Sequence, residues 1–223
     1  MKPPPFQYHD PTTVAEAVNL LSTLDNAKLL AGGQSLMPML NMRFVLPDHV
    51  IDLNRVEGLS YIREANGVLE IGAMTRQRDI EFSDLVKAKV PLLSEAMTQI
   101  GHRQTRNRGT IGGSVANDDP AADYPAACLG LGATIVTSKR EIAADSFFKG
   151  VFETALEAGE IVTGFSFPIP KRAAYMKFPH PVSGYAMTGS FVADTGNGIR
   201  VAITGAGQGV FRWKEAEAAL SKT

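Results

Sequence analysis

Two paired-glycine segments, Ala31-Gly32-Gly33-Gln34-Ser35 and Thr110-Ile111-Gly112-Gly113-Ser114, constrain this chain more than any other feature. Each sets two residues without side-chain bulk beside a hydroxyl, so backbone amides can approach an anion and donate to it. Taken singly, each is weak, because a Gly-Gly turn is more often just a turn. Taken together, they would grip one pyrophosphate from both sides. Neither is followed by the Gly-Lys-Ser/Thr of a Walker loop, and neither has the three-glycine spacing of a dinucleotide Rossmann turn. An ordinary nicotinamide dehydrogenase is therefore disfavoured.

Composition narrows the class. The 223 residues are 44% hydrophobic, enough for a core divided over two or three lobes. Lys plus Arg number 22 against 23 for Asp plus Glu, which excludes a broad nucleic-acid footprint or an anionic membrane surface. Cys128 is the one cysteine, so this sequence alone builds no disulfide and no all-cysteine cluster. Its setting, Ala126-Ala127-Cys128-Leu129, reads as a small buried hydrophobe. The opening Met1-Lys2-Pro3-Pro4-Pro5 lacks the apolar stretch of a signal peptide. No apolar run of about 18 residues occurs, so no transmembrane segment is expected and the cytoplasm is the expected address.

Local patterns place the segments. Thr13-Val14-Ala15-Glu16 fits a capping box, and Val14, Ala17, Val18 and Leu21 recur at helical spacing behind it. Strands are expected over 28–31 and 49–53, with a short helix starting at Ser35-Leu36-Met37-Pro38 between them. A strand, a crossover and a second strand predict a small parallel α/β lobe. Asn66-Gly67 predicts a hairpin joining 61–64 to 68–72. Helices are expected over 75–88, 91–100 and 121–132, a loop over 110–120, and strands over 134–137 and 161–167. Pro168-Ile169-Pro170 opposes continuation of helix or sheet, and two further strands, 189–193 and 198–204, flank Asn197-Gly198.

Further stretches stand in fixed order around the glycine segments. They are Phe6-Gln7-Tyr8 and Pro11, Ile71-Gly72-Ala73-Met74-Thr75, Arg106-Asn107-Arg108-Gly109, Phe152-Glu153-Thr154-Ala155-Leu156 with Gly159-Glu160-Ile161-Val162-Thr163, and Gly184-Tyr185-Ala186. Over nearly the whole chain these closely resemble the FAD-binding (medium) subunits of the xanthine dehydrogenase and aerobic carbon monoxide dehydrogenase family, the molybdenum hydroxylases. The resemblance implies an α+β fold of the PCMH / vanillyl-alcohol-oxidase FAD-binding type. A small parallel α/β N-terminal lobe would cover residues 1–57 and an antiparallel central lobe 58–170. A partial C-terminal lobe would cover 171–223, because family members continue well past the equivalent of Ala219-Leu220.

The resemblance also assigns the site. Leu29, Leu30, Ala31, Gly32, Gly33, Gln34, Ser35 and Leu36, with Gly109, Thr110, Gly112, Gly113 and Ser114, would hold the FAD pyrophosphate. Asn117 and Asp123 match positions near the ribityl chain, Lys177 and Tyr185 positions near the isoalloxazine ring, and Ile161 a backbone contact near the adenine. No catalytic residue and no metal ligand is expected here: His9, His49, His102 and His180 share no ligand spacing, although His102 stands close enough to the second glycine segment to touch a cofactor. The acidic group after that segment reads as helix capping by Asp119 and flavin binding by Asp123 rather than a metal site.

FAD would be held non-covalently, take electrons singly from 2Fe-2S clusters and release them to quinone, nicotinamide or oxygen. The implied partners are an iron–sulfur small subunit and a molybdenum-binding large subunit, which carry the clusters and the molybdenum cofactor, with the whole paired as a dimer of heterotrimers. Two other classes stay open. A self-contained FAD oxidase or reductase would need an acid or base that no residue here clearly supplies, and a non-catalytic nucleotide-binding module would keep the glycine turns alone.

Overall fold

The computed structural model describes residues 1–222; Thr223, the last residue of the expected third lobe, lies outside them. The chain opens as strand β1 (Gln7–His9), helix α1 (Val14–Thr23), strand β2 (Ala27–Leu30), helix α2 (Leu36–Asn41) and strand β3 (His49–Asp52). The expected capping box starts α1: the Thr13 hydroxyl accepts from the Glu16 amide at 3.2 Å, and the Glu16 carboxylate accepts from the Thr13 amide at 3.2 Å. Ala17, Val18 and Leu21 then pack with Ile51 and Leu53 in a small core. The strands are all parallel, in the order β1-β3-β2. Their C-terminal ends therefore carry the following loops, the first glycine segment among them, to one edge of the sheet.

Strands β4 (Ile62–Ala65) and β5 (Val68–Gly72) form the expected hairpin. Asn66 and Gly67 sit at φ 51° and 77°, as a two-residue type I′ turn demands. Next come helices α3 (Gln77–Phe82), α4 (Asp84–Lys89), α5 (Pro91–Thr98), α6 (Arg103–Arg108), α7 (Ile111–Asn117) and α8 (Asp123–Leu131). Strands β6 (Thr134–Thr137) and β7 (Glu141–Ala143), the short helix α9 (Ala144–Phe147), and strands β8 (Phe148–Gly150), β9 (Glu153–Thr154) and β10 (Val162–Pro168) follow. The antiparallel order β4-β5-β10-β6-β7 makes a five-stranded sheet. A four-stranded antiparallel sheet then forms from β11 (Arg172–Pro179), β12 (Ala186–Asp194), β13 (Ile199–Thr204) and β14 (Phe211–Arg212), before helix α10 (Lys214–Leu220).

Helix α8 joins the two antiparallel sheets. All nine of its residues are buried, and beyond Asp123 and Tyr124 the helix is apolar or small on every side. It packs on β10, β12 and β13. One continuous core runs from Leu69, Ile71, Phe165 and Phe167 through α8 to Tyr175, Phe191 and Ala202.

Four expectations are corrected. The loop expected over 110–120 contains α7, because the Thr110 hydroxyl caps it, accepting from the Gly113 amide at 3.1 Å, and the Gly112 amide anchors it on the Ala73 carbonyl at 2.8 Å. Glycine pairs read as helix breakers locally, but these two bring α7 close to the sheet. The helix expected over 75–88 is broken at Ser83, whose extended backbone ends α3 and whose hydroxyl caps α4, accepting from Val86 N at 3.3 Å. Asp119 does not cap α8, which starts behind Ala122; its carboxylate instead accepts from the Ala121 amide at 2.9 Å. Strand β11 and helix α6 were not expected at all.

Asp118 ends α7 in the left-handed region, φ 46°, with its side chain buried and neither carboxylate oxygen hydrogen-bonded. Burial, and then the charge of Asp119, push its carboxyl from 3.8 up to about 7. The folded state thus binds more protons than the unfolded one, and stability falls as pH rises from near the usual carboxylate value through about 7. Asp118→Asn should therefore match the wild type in acid and exceed it at alkaline pH. The expected gain is roughly 1–3 kcal/mol, the scale of an unpaired buried polar group, read from urea unfolding at both pH values. Equal stability on the alkaline side would contradict this account.

Candidate functional site

The first glycine segment leaves the end of β2 and meets the second head on. A Cβ on Gly32 would stand 2.4 Å from the Arg108 carbonyl oxygen and 2.7 Å from Gly109 Cα. A Cβ on Gly112 would stand 2.6 Å from Ala73, and one on Gly113 would meet Ala31 Cβ at 3.2 Å. Gly33 has φ +75°, a conformation that side chains resist. These glycines make the close approach possible. A polar clasp then fixes it: the Asn54 amide donates to the Ala31 carbonyl at 3.0 Å, while the Arg76 guanidinium donates both to Asn54 Oδ1 and to the Arg108 carbonyl. Burial, and then the charge of Arg108, lower the pKa of Arg76.

The two segments differ as donors. Among the described residues, the amides of Gly32, Gly33, Gln34 and Ser35 make no hydrogen bond within the chain, and the Ser35 hydroxyl caps nothing. In the second segment the amides of Ile111, Gly112, Gly113 and Ser114 are already engaged with Thr75, Ala73 and Thr110. The first turn therefore presents amides to a ligand, whereas the second presents a close, side-chain-free backbone and the free side chains of Ser114 and Asn117.

Both turns open on a cleft of about 710 Å³, within the ~300–1,000 Å³ usual for small-molecule sites. Every residue expected to bind cofactor lines it except Leu30. Along β2, Leu29 lines the cleft and packs on the small core, whereas Leu30 does not line it, its Cδ1 3.2 Å from the place of a Cβ on Gly33. At the far wall the Lys177 ammonium lies 3.1 Å from Asp123 and donates to the Gln99 carbonyl at 2.9 Å, and the Tyr175 hydroxyl donates to Asp123 from behind. Burial pushes the Asp123 carboxyl up, and Lys177 and Tyr175 pull it back. Tyr185 stands half-exposed at the mouth, its phenol raised by burial and then by Asp119 and Asp123.

The cleft also uses Gln77, His102, Thr105 and Glu160. His102 lies near the second glycine segment in the sequence and lines the cleft. Glu160 was hidden in the quoted stretch around Ile161; its buried carboxylate accepts from Arg140, from the Thr137 hydroxyl at 2.6 Å and from the Glu157 amide at 2.8 Å. Led by Arg140, these donors hold its pKa down at about 2, and the network pins the turn that presents Ile161. Gln77 and Thr105 belong to no motif and are found only through their place beside Gly109. Cys128 is buried with its thiol pushed well up, and no group of three or more His, Cys, Asp or Glu able to hold a metal occurs among the described residues.

A bulk-free backbone facing free amides, with a buried carboxylate–ammonium pair at the other end, fits a long anionic dinucleotide. Residues 4–170 match the model of a family described as the FAD binding domain in molybdopterin dehydrogenase. The chain belongs to this family, the FAD-binding, electron-transferring subunits of molybdenum-containing dehydrogenases. The carbon monoxide dehydrogenase medium chain of Hydrogenophaga pseudoflava is 42% identical over 217 residues, covering 92% of this chain and 76% of its own. The glyceraldehyde dehydrogenase medium chain of Sulfolobus acidocaldarius is 42% identical over 193 residues, covering 84% and 69%. In the solved carbon monoxide dehydrogenase of H. pseudoflava, in a form lacking the Mo-pyranopterin moiety, a chain 41% identical superposes with a TM-score of 0.93 over 98% of this chain and 81% of its own. Being named medium chains, these relatives are parts of larger enzymes.

Gly32→Ala should separate site from fold. Its methyl would meet the Arg108 carbonyl at 2.4 Å, whereas a methyl at Gly58, also strained at φ +77°, meets nothing within 4 Å. FAD affinity measured by fluorescence titration should fall about tenfold or more, ~1.4 kcal/mol or beyond, in Gly32→Ala and stay unchanged in Gly58→Ala. Equal flavin affinity in the two variants would remove the segment contact from the site.

Proposed function

We propose that this chain is the flavoprotein subunit of a molybdenum hydroxylase of the carbon monoxide dehydrogenase medium-subunit kind. It takes electrons from 2Fe-2S clusters on a small partner subunit and releases them to an external acceptor, while a molybdenum-binding large subunit oxidises the substrate. The three chains would form a heterotrimer, paired into a dimer, in the cytoplasm. The division at residues 1–57, 58–170 and 171–223 belongs to the same reading, with the cofactor lying between the first two units. The observation that carries it is the cleft itself, where four unbonded amides face the glycine backbone of a helix drawn in beside them.

FAD, when bound, supplies transfer of electrons one or two at a time between partners that differ in that respect. The chain's residues bind and orient it. The amides of Gly32, Gly33, Gln34 and Ser35 hold the pyrophosphate, and Gly109, Gly112 and Gly113 let the backbone reach it from the other side. Ser114 and Asn117 supply a hydroxyl and a carboxamide, Ile161 presents backbone near the adenine, and Leu29 and Leu36 give apolar walls. Asp123 and Lys177 set a fixed charge pair toward the flavin end, where Tyr185 limits access of water. No helix among the described residues is long and apolar enough to cross a membrane, and the relatives' names as medium chains support partner chains.

Two outcomes are expected. Acid precipitation of the flavin-loaded chain should release all the flavin, as FAD, with the one cysteine, Cys128, buried away from the cleft; flavin retained in the pellet would contradict non-covalent binding and point to His102 on the cleft wall. The chain alone should not oxidise carbon monoxide, an aldehyde or an N-heterocycle, since its single cysteine provides no cluster. Adding the two partner chains should restore substrate-dependent bleaching of the flavin. Turnover by the lone chain would point instead to a self-contained oxidase.

A further inference from the structure

Tyr175 does not line the cleft, yet its hydroxyl reaches a residue of the cleft wall. Its ring stacks on Phe191 of β12, with centroids 3.8 Å apart and planes 14° from parallel. Its phenol donates to Asp123 Oδ1, the carboxylate that also accepts from Lys177. Gly189, the register partner of Lys177 on β12, leaves the room it needs: a Cβ there would stand 2.9 Å from Tyr175 Oη and 3.0 Å from its ring. A tyrosine that only fills a core needs any acceptor at all. This one reaches a buried carboxylate that lines the cleft.

We propose that Tyr175 is a positioning residue of the flavin site: from behind the cleft wall its phenol fixes the Asp123 carboxylate against Lys177, so that the pair presents a balanced, oriented charge to the cofactor. This rests on the assignment of Asp123 and Lys177 to FAD binding made above. The groups that face Asp123 are Tyr175 and Lys177 from β11, Tyr185 from the following loop and Tyr124 within α8. A donor to an ionised carboxylate favours the charged form. Without the phenol, Asp123 takes up a proton at higher pH and leaves Lys177 as an unbalanced positive charge facing the flavin. Such a charge favours the electron-rich reduced cofactor.

The test uses the full chain loaded with FAD and the variants Tyr175→Phe, Asp123→Asn and Phe191→Leu. FAD affinity is measured by fluorescence, the flavin midpoint potential by spectroelectrochemistry over roughly pH 5 to 9, and Tm by circular dichroism. Tyr175→Phe should retain the fold, bind FAD about tenfold more weakly, and move the inflection of potential against pH upward by about one unit or more. Asp123→Asn should raise the potential and lose the inflection, and Phe191→Leu should lower Tm alone. If Tyr175→Phe behaves like Phe191→Leu while Asp123→Asn shifts the potential, the role of Tyr175 is overturned and the site assignment stands. If Asp123→Asn also leaves potential and affinity unchanged, both fall together.

Discussion

The contact of Gly32 with the Arg108–Gly109 backbone is the constraint on which the cleft depends. Two loops far apart in sequence meet there at a separation that no side chain allows, and the meeting is what places unbonded amides opposite a helix free of bulk. Asn54 and Arg76 give that contact its permanence. Each satisfies a loop carbonyl that would otherwise be left without a partner, so the polar cost of burying two loop backbones is met by the same groups that fix their spacing.

A second constraint works at the opposite wall. Burying a carboxylate is unfavourable unless donors surround it, and both buried acids at the cleft obey this in different ways. Glu160 collects Arg140, Thr137 and a backbone amide and stays ionised well into acid. Asp123 has fewer donors, and burial displaces its carboxyl upward. The first holds rigid the turn that leads into Ile161. The second keeps a partly offset charge beside Lys177.

What could be read from the sequence was what short stretches determine by themselves. The capping box of Thr13 and Glu16 and the Asn66-Gly67 turn need no distant partner, and both stand where their local chemistry puts them. Helix α7 was read as loop because glycine is a poor helix former, and its support comes from Ala73 and Thr75, nearly forty positions upstream. Strand β11 was missed because it turns Lys177 inward with Tyr175, a pattern that makes sense only once Asp123 stands opposite. The cleft residues were placed through their likeness to a family. Leu30, which shares their stretch but does not line the cleft, shows where a contiguous segment misleads. Gln77 and Thr105 carry no local signature, since their only distinction is to lie beside Gly109.

Because α8 has no solvent face, its amides exchange with water only when the large core opens as a whole. Asp123 begins that helix, so one wall of the cleft belongs to the slowest-opening part of the molecule. The other wall does not. Gln34 and Ser35 are exposed on a loop supported by the small core of α1 and the parallel sheet. The cleft therefore joins a wall held in the large core to one held by the small core, and the two differ in how readily they open.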